Sequence, residues 1–83
     1  MSKQQKRKEK IMTKPVKKDL EFGEVHEFLI EQGFEALPPG TGSHRVYKHP
    51  KLTKHITLAP HGRDISRAYI KSIQDAIEEL ESL

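Results

Sequence analysis

The stretch HRVYKHPKLTKHITLAP, residues 44–60, decides the fold. It holds two short runs rich in β-branched and aromatic residues, 44–49 and 54–59, separated by Pro50, Lys51, Leu52 and Thr53. Such runs flanked by turn residues predict two strands joined by a hairpin-like connection. In the second run Ile56 and Leu58 alternate with His55 and Thr57, so a strand turns the apolar pair to one face. The first run admits two parities. His44, Val46 and Lys48 share one face, and Arg45, Tyr47 and His49 share the other. Tyr47 is favoured as the inward residue because a large aromatic contributes more to a small core than valine does. That choice exposes His44 and Lys48 together. The opposite choice, Val46 inward, puts His44 on the core side, which is tolerable only at the end of the sheet.

Working outward, residues 34–37 are apolar enough for one edge strand. Pro38, Pro39, Gly40, Thr41 and Gly42 then form a turn-rich loop in which the chain reverses. Upstream, Asp19 is a good N-cap for a helix that carries Leu20, Val25, Phe28 and Leu29 on one face and stops at Gly33. Glu21 and Glu24 complement the dipole of its opening turns, and Gly23 is its one weak position. Downstream of Pro60, His61 and Gly62, Ser66 can cap a second helix. Its stripe of Tyr69, Ile70, Ile73, Ala76, Ile77 and Leu80 recurs at steps of three and four. The order is α-β-β-β-α, an α+β class in which two helices cover one face of a three-stranded antiparallel sheet and leave the other in water. The stripe of the second helix is read as core.

Residues 1–18 are two-thirds Lys, Arg, Gln, Ser and Thr, and by themselves they bury too little apolar surface to offset the entropy of ordering. They are expected to be a disordered basic arm, either a solvated tail or a nonspecific RNA contact, ahead of one domain over 19–83. No cysteine is present, so packing alone must hold that domain, as suits a reducing cytoplasm. The longest uncharged stretch, residues 36–44, is far short of the roughly 20 apolar residues of a membrane span. No apolar segment follows the basic N-terminus as a secretory signal requires, and a cytoplasmic location with no membrane contact is expected.

The net charge of +3 conceals segregation. Residues 1–18 carry eight Lys/Arg against one Glu, 19–35 carry six acids and no Lys or Arg, and 44–71 carry seven Lys/Arg against one Asp. Clustered positive charge attracts a polyanion and releases its counterions, so RNA or DNA is a fitting partner. An acidic protein would satisfy the same field.

Five histidines occur, four of them between the helices: His44, His49, His55 and His61, with His26 on the acidic helix. Their spacing along strands matches no zinc motif, and neither a metal nor a small-molecule cofactor is expected. Acid/base chemistry needs less. An imidazole titrates near cellular pH, and RNA supplies its own nucleophile in the 2′-hydroxyl, with nearby cations stabilising charge on the phosphate. His44 has Arg45 beside it and Lys48 four residues on.

The run Gly42-Ser43-His44-Arg45-Val46-Tyr47-Lys48-His49-Pro50, then Ile56-Thr57-Leu58-Ala59-Pro60-His61, then Tyr69-Ile70-Lys71-Ser72-Ile73 on a helix, resembles the HicA (YcfA-like) mRNA interferase toxins. The likeness covers roughly residues 20–75. It implies a fold like the double-stranded-RNA-binding domain (dsRBD), whose α-β-β-β-α order coincides with the one read above. It further implies metal-independent RNA cleavage carried by the signature histidine, here His44, and a HicB-like antitoxin that binds the toxin and masks that histidine. The expected function is therefore that of a type II toxin cleaving mRNA, with His44 as general acid/base. Ser43, Arg45, Lys48, Lys54, Arg63 and Arg67 are the candidate RNA contacts. Glu78, Glu79 and Glu81 make the end of the last helix acidic, so RNA should lie toward Arg63 and Arg67. A noncatalytic RNA-binding module and a protein-interaction domain receiving an acidic antitoxin-like partner are the alternatives.

Overall fold

The computed structural model describes residues 3–16, 18–38 and 44–83, with side chains described from residue 5. Its elements run α1 (Lys3–Met12), β1 (Leu20–Glu21), α2 (Phe22–Glu31), β2 (Glu35–Ala36), β3 (Arg45–Lys48), β4 (Ile56–Leu58), β5 (Asp64–Ile65) and α3 (Arg67–Glu81). The expected α-β-β-β-α order is present as α2-β2-β3-β4-α3, and the class is α+β with a dsRBD-like core. β3 is the middle strand of the three-stranded antiparallel sheet, pairing with β2 on one side and β4 on the other. In this register Tyr47 stands opposite both Ala36 and Ile56, and Arg45 stands opposite Leu58. Tyr47, Ile56 and Leu58 are buried on the face against which the helices pack, with Tyr47 only 1% exposed. The inward parity of Tyr47 is thus the one adopted, and His44 and Lys48 are exposed.

Both expected helix stripes are buried where the core requires them: Val25, Phe28 and Leu29 from α2, and Ile70, Ile73 and Ile77 from α3. Ser66 occupies the N-cap position of α3, without a side-chain cap hydrogen bond. α2 stops as its sequence predicts. Gly33 takes φ +93°, its N–H bonds the carbonyl of Ile30 at 3.0 Å, and the Phe34 N–H bonds that of Leu29 at 3.0 Å. This is a Schellman ending, with Phe34 and Leu29 both buried as its apolar contact.

The start of α2 differs from expectation. Asp19 is not the cap, because Leu20 and Glu21 pair with Ile65 and Asp64 in a second, two-stranded sheet, and Glu21 is the N-cap. The Phe22 N–H donates to the Arg63 carbonyl at 2.7 Å, which ties the start of α2 to the segment leading into α3. Leu20 is buried by that pairing rather than by a helical face.

The larger departure is the N-terminal segment. Where residues 1–18 were expected to be a disordered arm, residues 3–12 form α1, which packs against both α2 and α3. Ile11 is fully buried, and Met12 and Val16 pack beside the core. Counted within the segment these apolar groups are too few, but the core they join is supplied by the rest of the chain. The buried Gln74 of α3 donates its side-chain amide to the carbonyls of Ile11 at 2.8 Å and Thr13 at 3.0 Å. Charge completes the docking. Arg7 meets Glu31 at 2.6 Å, Lys10 meets Glu24 at 2.6 Å, Lys8 meets Glu81 at 3.3 Å, and Lys14 meets Glu78. The basic segment and the acidic helices seen in the sequence are therefore partners of each other.

Replacing Ile11 with Ala should lower unfolding stability by about 2–5 kcal/mol, as for other buried isoleucine truncations. Ile30→Ala, at a position 43% exposed, should stay within about 0.5 kcal/mol. Urea denaturation of the two variants checks the pair, and equal midpoints would mean that α1 does not pack on the core.

Candidate nucleic-acid interface and active site

The site is built on β3 and its ends. A strand advances about 3.4 Å per residue, so its first and last side chains stand roughly 10 Å apart. His44 directly precedes the strand and is exposed. Lys48 closes it, exposed and paired across the strands with Glu35 at 3.5 Å, an interaction that adds little to stability at such exposure. His44 and Lys48 are accordingly both in water but at opposite ends. The antiparallel register places Lys54, which precedes β4, at the Lys48 end, where it shares a groove with Asp75 and Glu79 of α3.

The His44 end gathers different groups. Arg45 is half-buried on the Tyr47 side of the strand and lines a recess together with Phe22. The Arg63 carbonyl receives the Phe22 N–H, so Arg63 lies at the same end, exposed, and Arg67 follows as the exposed first residue of α3. Of the cations singled out in the sequence, Arg45 and Arg63 thus belong to the His44 end and Lys48 and Lys54 to the opposite end, whereas Arg67 lines a separate hollow with Val16 and Lys71. Ser43 and the preceding loop residues 39–42 lie outside the described residues.

The structure sorts the histidines. His49 is architectural: its Nδ1 accepts the Lys51 N–H at 3.0 Å, which leaves Nε2 as the protonated nitrogen, donating to the Gln32 carbonyl at 3.1 Å at the end of α2. Its ring also meets Phe34 edge-on at 5.0 Å. His61 closes an isolated bridge to Asp64 through backbone bonds and is exposed, as is His55. His26, which the sequence sets apart from the other four, is brought against β3, where Nδ1 and the Tyr47 hydroxyl share a hydrogen bond of 2.7 Å. Helical position gives no hint of this contact, because it depends on which turn of α2 crosses Tyr47. Burial pushes the Tyr47 phenol above its ordinary value of 10.0, partly opposed by the Arg45 charge. Among the described residues no three of His, Cys, Asp and Glu converge as metal ligands. No helix among them is long and apolar enough to cross a membrane.

An α-β-β-β-α domain of the dsRBD type, presenting an exposed imidazole at the start of its central strand, defines the class. The family model described as the HicA toxin of bacterial toxin-antitoxin systems matches residues 22–81, and the chain belongs to that family. The match spans every element from α2 to α3 and leaves α1 outside it. Membership implies an antitoxin partner. Comparison with curated proteins and with solved structures returns no match.

Tyr47→Phe removes the partner of His26 Nδ1 and should cost about 1 kcal/mol at neutral pH. Because the folded phenol titrates above its unfolded value, its contribution is complete below pH 10 and is lost as pH rises through the folded value. The stability gap between wild type and Tyr47→Phe should therefore narrow above pH 10 in thermal melts, and a gap that widens there contradicts the assignment.

Proposed function

We propose that the chain is a metal-independent endoribonuclease toxin that cleaves mRNA, with His44 as general acid/base. The observation that carries this reading is the exposed imidazole of His44 at the start of the central strand, next in sequence to Arg45 and at the end of the sheet to which Arg63 returns, within a HicA match that covers all of these residues.

The chemistry needs little more. In its neutral form the imidazole takes the proton of an RNA 2′-hydroxyl, the 2′-oxygen attacks the adjacent phosphorus, and the bond to the 5′-oxygen breaks. A 2′,3′-cyclic phosphate forms, and the departing 5′-oxygen collects a proton from the imidazolium or from water. Negative charge grows on the non-bridging oxygens during attack, and guanidinium groups placed there stabilise it. Arg45, next to His44 in sequence but directed to the other side of the strand, contacts the adjoining nucleotide. Arg63 and Arg67 extend the positive edge, Ser43 is a neighbouring hydroxyl donor, and Lys48 and Lys54 serve a longer RNA that runs along the sheet toward the far end. Such a reaction requires RNA that is single-stranded or locally open, because the 2′-oxygen must swing in line with the leaving oxygen.

The partner antitoxin is a HicB-like protein whose acidic surface covers the same cationic edge and masks His44. An acidic cover fits that edge better than it fits the N-terminal segment, where Arg7, Lys8, Lys10 and Lys14 already meet glutamates of this chain.

Incubation of the purified protein with RNA in EDTA, beside a His44→Ala variant, tests the reading. Wild type should cleave, and the variant should lose on the order of 100-fold or more in rate while still binding RNA. Binding without cleavage by either protein identifies a noncatalytic RNA-binding module instead, and no affinity at low salt leaves only the protein-interaction role.

A further inference from the structure

Under the His44 end of the sheet lies a recess of about 480 Å³ whose walls include Phe22, Gly23 and His26 of α2, Leu37 and Pro38 after β2, and Arg45 of β3. Its volume falls within the range of small-ligand sites. The walls combine two chemistries. Phe22, Leu37 and Pro38 offer apolar surface, and the Phe22 ring lies 5.9 Å from the His26 imidazole. The rim offers hydrogen bonds of both senses. Arg45 donates, the Glu27 carboxylate accepts, and His26 keeps Nε2 available because Nδ1 is engaged by Tyr47.

A bare phosphate would use Arg45 and leave the apolar walls without a partner. An aliphatic group would do the reverse and strand the rim groups. A nucleobase satisfies both, since its face stacks on aromatic and guanidinium planes while its edge carries donors and acceptors together.

Gly23 supplies an independent observation. Glycine is unfavourable inside a helix, and this one has no positive φ to require it. An added Cβ would meet only the Glu21 Oε1 at 3.7 Å, so close approach does not require it either. What glycine does at this position is keep the recess wall free of a side chain.

The recess is also placed for a substrate. Arg45 follows His44 directly, their Cα atoms are about 3.8 Å apart, and successive residues point to opposite sides of a strand. An RNA draped over the strand end presents a phosphate to His44 on one side and an adjoining base to Arg45 on the other. We propose that this recess holds an unstacked nucleobase of the RNA substrate, next to the phosphodiester on which His44 acts; the inference rests on the ribonuclease reading.

Titration of the full-length protein with AMP, GMP, CMP and UMP, followed by amide NMR, tests it with ribose 5-phosphate as the baseless control. At least one nucleotide should shift the signals of Gly23, His26 and Arg45 saturably, and ribose 5-phosphate should not. Gly23→Leu, which fills the recess, should weaken that nucleotide by about tenfold or more, whereas Gly23→Ala should retain it. Arg45→Met provides a second disruption if Gly23→Leu does not fold, with the same expected loss. Absence of shifts with all four nucleotides, equal shifts with ribose 5-phosphate, or unchanged binding by a folded Gly23→Leu or Arg45→Met overturns the proposal. Mononucleotides contain no bond to cleave, so an empty recess in a protein that still shows His44-dependent cleavage defeats the recess alone. Nucleotide binding in a protein that cleaves no RNA defeats the ribonuclease reading instead.

Discussion

The rest of the structure depends on the burial of Tyr47. Its ring is buried in the core against His26 of α2, and because side chains alternate along a strand, placing it inside fixes the direction of every neighbour. Lys48 then faces water, and so does His44 ahead of the strand. Arg45 is directed to the same side as the ring but beyond it, where the cover ends. The hydroxyl finds His26 and so retains a partner in a buried setting. One aromatic residue thereby orients the catalytic candidate without touching it.

Much of this was legible in the sequence, for physical reasons that can be named. The α3 stripe is regular because one long helix buries a single face, and periodicity reports that directly. The end of α2 was legible at Gly33 because an αL position favours glycine. The parity of β3 rested on weighing Tyr47 against Val46, and ring size decided it. Less legible were features made by partners distant in sequence. Asp19 has the chemistry of a cap, but pairing of Leu20 and Glu21 with Ile65 and Asp64 moves the helix start to Phe22. α1 was invisible for the same reason: its order comes from Gln74 and from glutamates on α2 and α3, none of which a local reading of residues 1–18 can weigh.

The site divides similarly. His44 emerged early because the family signature and the strand pattern converge on it. Lys48, four positions from His44, lies at the other end of the strand, while Arg63, nineteen positions away, returns toward the near end through the backbone bond to Phe22. His26 and His49 exchange roles relative to their positions in the chain. The one in the strand region serves the helix terminus, and the one on the helix reaches the strand.

The attachment of α1 has a further property. Gln74 grips main-chain carbonyls, which every residue type possesses, so the hold on positions 11 and 13 is indifferent to what side chains those positions carry. The apolar contacts of Ile11, Met12 and Val16 and the glutamate-matched cations read identity. Such an element can drift widely in sequence while keeping its seat, and two homologous chains could share this brace with almost no recognisable similarity between their first dozen residues.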